Sequence, residues 1–130
     1  MDIAALRAEL IAGHPDTGAY SIDDPTATVE LNAINRTRPL TSLTGSEVLN
    51  TMVLADFNSL AASDQARAWN IVHLGAVDPY GIENDMMEEI FGAASATMTA
   101  FHAARIESVS RAVEIGIGPV KTGHVEEARR

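Results

Sequence analysis

The sequence predicts an all-α fold, a small helical bundle of about five to six helices with a long penultimate helix and an extended C-terminal arm. Three observations lead there. Apolar residues recur at three-to-four spacing between capping signals. Much of the 46% hydrophobic content is alanine, with only 5% aromatic residues, and alanine favours helices while burying little area. Strand-type alternation never persists for long outside the helical segments.

Asp2 can cap a first helix carrying Ile3, Leu6, Leu10 and Ile11, which Gly13 ends. A loop follows through His14, Pro15 and Gly18. Asp23-Asp24-Pro25 starts a second helix, with Ala27, Leu31 and Ile34 on one face. Residues 36–40 read as an extended connector, because the residue before Pro39 avoids the helical region. Thr44-Gly45-Ser46-Glu47 has capping-box spacing and opens a helix carrying Val48, Met52 and Val53. After a break near Asp56 and a short turn at Phe57 and Leu60, Ser63-Asp64 caps a helix containing Trp69, Val72 and His73. Gly75 stops it.

Asp78-Pro79-Tyr80-Gly81 is a turn signal. A short acidic helix, 83–91, follows, with Met86, Ile90 and Phe91 as its apolar side. The longest periodic segment runs from Ser95 to Ile115 through Met98, Phe101, Arg105, Ile106, Val109 and Val113. Gly116 and Gly118-Pro119 stop it. This gives a helical domain at 1–115 and a C-terminal arm at 116–130.

The formal net charge is −9, from 18 acidic and 9 basic residues. Nucleic-acid binding needs clustered Lys and Arg, and here they are scattered, so no sequence-specific nucleic-acid binding is expected. The charge favours solubility and the choice of a basic partner. Without cysteine there can be no disulfide or thiolate metal site. Met1-Asp2-Ile3 does not start a signal peptide, and no stretch has the roughly 18 apolar residues of a membrane span. A soluble protein that is not exported is the expectation.

No catalytic, cofactor or metal site is expected. His14, His73, His102 and His124 lack metal-ligand spacing. Glu83, Asp85, Glu88 and Glu89 could be read as a cation site or an acid/base pair, but they fit a solvated helix face better, with Glu83 and Asp85 favoured by the helix dipole. There is no nucleophile elbow and no phosphate-binding glycine loop. Asn35-Arg36-Thr37 matches a glycosylation sequon, which a cytosolic chain would never use. An enzyme is therefore not expected. A small hydrolase using His73 or Glu88 is the rival reading.

The ending stands out. A mixed-charge tail after Gly116 could fray, or could fold on binding with Val120 and Val125 filling partner pockets and its arginines meeting carboxylates. The candidate partner-binding residues are Ile117, Pro119, Val120, Lys121, His124, Val125, Arg129 and Arg130. The loop from Gly13 to Tyr20 raises the same question.

Several segments together resemble a family of small structural proteins of tailed bacteriophages. They are residues 10–20 (LIAGHPDTGAY), 31–36 (LNAINR), 44–50 (TGSEVLN), 69–75 (WNIVHLG) running into 79–83 (PYGIE), 110–116 (SRAVEIG) and 123–129 (GHVEEAR). The resemblance spans nearly the whole chain. A small helical subunit with a C-terminal arm is similar to the head–tail adaptors, or head-completion proteins. That resemblance implies a homo-oligomeric ring, commonly a dodecamer, beneath the portal protein. It implies contact with the next neck or tail-completion protein, synthesis in the host cytoplasm, and a final place in the virion at the head–tail junction. The alternatives are a stopper or tail-completion protein, or an acidic regulatory binding protein. Closed rings arise from heterologous contacts repeated by rotation, and negative charge facing a DNA channel would keep DNA from sticking.

Overall fold

Nine helices and four short strands follow one another in the computed structural model, which describes residues 1–130. The strands form two two-stranded sheets, β1 with β4 and β2 with β3. The fold is therefore mixed α/β, and the all-α expectation is corrected. The chain divides into two compact units, Met1–Arg38 with Ser108–Arg130, and Pro39–Glu107. The boundary expected at 115/116 falls inside the first of these.

The first unit begins with α1 (Ile3–Ala12), capped by Asp2, whose carboxylate accepts the Ala5 N–H at 2.9 Å. Gly13 ends it at φ 88°, where a side chain would be strained. In α2 (Asp24–Asn32) the cap is Asp23, and Pro25 lies in the first turn. Ile34 was expected on the buried face of this helix. It lies instead in β1 (Ile34–Pro39), and it is 73% exposed. The expected extended connector is this strand.

The long penultimate helix does not exist as one piece. It is α7 (Ala96–Ala104), then β4 (Ile106–Ser110), then α8 (Arg111–Glu114). Ile106-Glu107-Ser108-Val109-Ser110 combines β-branched residues with two serines, which are poor helix formers and compete for backbone groups. Ser110 instead caps α8, accepting the Val113 N–H at 3.1 Å. Spacing of Ile106, Val109 and Val113 by three and four imitates a helix face, but in the strand Val109 and Ser110 are the buried residues and Ile106 is exposed.

The extended arm is also corrected, because residues 122–129 form helix α9 (Thr122–Arg129). Val120, Val125 and Ala128 join Leu6, Tyr20, Ala27, Leu31 and Ala112 in the core of the first unit. Burying Leu6 and Leu31 completely contributes roughly 1.5–3 kcal/mol each.

In the second unit, β2 (Leu43–Thr44) pairs antiparallel with β3 (Ala76–Val77), placing Leu43 opposite Val77. Both side chains are buried. Thr44 then opens α3 (Gly45–Thr51) with the expected capping box, its hydroxyl accepting from Glu47 N–H and its own N–H reaching the Glu47 carboxylate. The short α4 (Leu54–Asn58), α5 (Ala62–Val72) and α6 (Ile82–Phe91) complete the unit with α7. Val48, Ala68, Ile71, Met87, Ile90, Met98 and Phe101 form its core. Asp56, read as a break, anchors the N-terminus of α7. Its carboxylate accepts from the Thr97 N–H at 2.9 Å and from the Thr97 hydroxyl at 2.7 Å.

Candidate functional site

The segments 10–20, 31–36 and 110–116 meet in the first unit through one ionic network. Glu9, on the buried side of α1, accepts the Tyr20 hydroxyl at 2.7 Å and Arg111 Nε at 2.8 Å. Arg111 Nη2 reaches its second oxygen at 3.0 Å. Arg111 Nη1 bonds Glu114, which also accepts Arg36 Nε at 3.1 Å. Arg36 Nη1 closes the chain on Asp16 at 2.8 and 2.9 Å. The loop itself is held by the exchanged backbone bonds of His14 and Gly18 and by His14 Nδ1, which accepts the Asp16 N–H.

The charges in this network stabilise one another. Burial pushes the Glu9 carboxyl up, but the bonds from Arg111 and Tyr20 outweigh it and hold the group below its ordinary value. Glu114 behaves alike, with Arg111 and Arg36 overcoming burial. Arg36 lowers Asp16 directly. Burial, followed by the bond to Glu9, raises the Tyr20 hydroxyl. Each of the three carboxylates meets a guanidinium, and two guanidiniums serve all three, so the network locks the loop 13–20 onto α1, β1 and α8. None of its residues was singled out by spacing, although an acid at Glu9 between Leu6 and Leu10 on the apolar face signals a buried partner.

The eight candidate arm residues are placed as follows. Val120 and Val125 are buried in their own unit's core, and Ile117 packs against it. Val120 also exchanges two bonds with the Asn32 amide, donating its N–H at 2.9 Å and accepting at 2.7 Å. The His124 ring accepts the Lys121 N–H at 3.1 Å at the start of α9. Arg129 reaches Asp24 and the carbonyls of Ser21 and Ile22. Pro119, Lys121 and Arg130 are exposed.

The rival catalytic residues do not come together. His73 is exposed, with Nδ1 2.7 Å from the Trp69 carbonyl. Glu88 lies 3.5 Å from His102, whose Nε2 is 3.1 Å from Asn84 Oδ1. Beside them Arg105 stacks over the Tyr80 ring at 4.4 Å, and the Tyr80 hydroxyl donates to the Arg105 carbonyl, fixing the 78–84 turn against α7. No group of three or more His, Cys, Asp or Glu side chains is placed to hold a metal ion. No helix is long and apolar enough to cross a membrane.

Each unit also carries a surface depression. On the second unit Leu49, Met52, Leu54, Phe57, Asn58 and Trp69 line a groove of about 220 Å³. Phe57 and Trp69 meet edge to face at 6.0 Å, yet Trp69 stays 43% exposed and Leu54 72%. On the first unit Arg7, Leu10, Ile11, Ala128, Arg129 and Arg130 line an open cleft of about 340 Å³. The groove was missed because Trp69 reads as a core residue beside Val72. The signal for it is the surplus of Leu49, Val53 and Leu54, more apolar positions than one short helix face can bury.

Searches against protein-family models, curated proteins and solved structures return no match to this chain.

Proposed function

We propose that this chain is a structural subunit that acts by assembly, an adaptor forming a ring beneath the portal in the neck of a tailed-phage particle and linking capsid to tail. The observation that carries the assembly reading is the apolar groove of the second unit. An exposed tryptophan framed by exposed leucines is costly to leave in water and is the side-chain type that dominates interface energetics. The phage-neck part rests on the segments of resemblance. Three of them, 10–20, 31–36 and 110–116, contribute to a single ionic network that fixes the backbone of the first unit.

Imaging the junction between capsid and tail in purified particles tests the reading. Density for this chain in a ring under the portal is the expected result. Its absence from finished particles would sink the proposal. A Trp69→Glu chain with Leu54→Glu, which keeps its helix content, is expected to be left out of particles.

A further inference from the structure

Charge is divided unevenly between the two units. The first holds nine acidic and seven basic residues, net −2, and the second nine acidic and two basic, net −7. The basic, apolar cleft belongs to the first unit. Arg7 and Ile11 lie one turn apart on α1, and Ile11 is 81% exposed. Arg7 Nε is committed to the Ala128 carbonyl at 2.8 Å and Arg129 to Asp24, whereas the Arg130 guanidinium has no partner within the chain.

The second unit carries the counterpart of this cleft. On α6, Ile82, Asp85 and Glu89 follow one another at spacings of three and four and so share one face. Ile82 is 70% exposed, and Asp85 and Glu89 are exposed as well. Glu89 meets Arg67 at 3.2 Å, while Asp85 has no side-chain partner. One face therefore offers an isoleucine with carboxylates, and the cleft offers an isoleucine with guanidiniums.

We infer that the α1/α9 cleft of one copy seats the exposed face of α6 from a second copy, with Ile82 against Leu10 and Ile11 and Asp85 meeting Arg130. This deepens the assembly reading and rests on it. The two surfaces differ, so each copy presents one of each and the contact is head to tail. Such contacts close into a ring when the rotation permits. Opposite net charge at the meeting faces speeds encounter and fixes register, and it makes association weaken as salt rises.

The test uses full-length chains with sedimentation velocity and native mass spectrometry, and circular dichroism to confirm helix content. One chain carries Arg130→Gln with Ile11→Gln, and the other carries Ile82→Gln with Asp85→Asn. Each alone is expected to self-associate at least about tenfold more weakly than the parent. Mixed together, they are expected to form one-to-one pairs that do not grow, because each supplies only one working surface. A parent chain that stays monomeric at every concentration and salt overturns both this contact and the ring. Variants that assemble like the parent overturn this contact and leave the ring standing. Loss of assembly with the cleft variant alone overturns the choice of α6.

Discussion

The carboxylate of Glu9 takes two hydrogen bonds from the guanidinium of Arg111, a residue 102 positions away. Glu9 is almost fully buried, so the pair joins α1 to the start of α8 where water has little access to the carboxylate. Replacing Arg111 with Met leaves a buried carboxylate supported by Tyr20 alone. The expected cost is about 3 kcal/mol. Glu9→Gln is expected to cost a comparable amount, and the double variant less than the sum of the two, because the partners act as a unit. Urea unfolding followed by circular dichroism measures all three, and additive losses would show that the pair is not coupled.

The same network sets a pH window. Glu9 and Glu114 titrate below their ordinary value of 4.5 in the folded chain, so the folded state binds their protons less tightly than the unfolded one. Their contribution is fully present above that value and is lost as pH falls through the folded values. Tyr20 is raised above its ordinary 10.0, so its contribution holds below that value and is lost as pH rises beyond it. The urea midpoint is expected to fall at both extremes. Tyr20→Phe should flatten the alkaline side and, because one of the bonds lowering Glu9 is lost, weaken the acid dependence in part; Glu9→Gln should weaken the acid dependence more.

The C-terminal residues hold the first unit together from within. Deleting 116–130 removes Val120, Val125 and Ala128 from a core they share with Leu6 and Leu31. Such a truncation is expected to unfold the first unit, with loss of amide exchange protection in α1 and α2. Val125→Asp should do the same through an unpaired buried charge. Arg129→Ala, by contrast, removes exposed bonds and is expected to cost about 1 kcal/mol. Protection in α1 that survives the deletion would contradict this packing.

The features legible in the sequence were local. Asp2 and Thr44 cap helices through bonds to residues three positions on, and that chemistry is written in adjacent residues. Ile106 to Ser110 was illegible for the opposite reason. Its apolar spacing suits a helix and hides the weak helix propensity of its serines and β-branched residues, and pairing with β1 completes the strand. The tail was misread because Val120 and Val125 look like spare apolar residues until α1 and α2 provide their pocket. The groove around Trp69 was hidden because periodicity shows which residues are apolar and not which of them remain uncovered.

Gly45 supplies the sharpest check on the second unit. A Cβ built there would sit 2.0 Å from the carbonyl oxygen of Val72, far inside any tolerable contact. That carbonyl belongs to the last turn of α5, shortly before β3 begins, and Gly45 itself follows directly on β2. Relieving the clash would push apart the pairing of Leu43 with Val77 and open the core between Val48 and Ile71. Gly45→Ala is therefore expected to cost about 3 kcal/mol even though alanine is the better helix former. Ser46→Ala, at the exposed neighbouring position, is the control and should be nearly neutral. Trp69, the sole tryptophan, lies on α5 and reports the unfolding of this unit by fluorescence. Equal urea midpoints for the two variants would mean that α3 and α5 do not approach as closely as the structure places them.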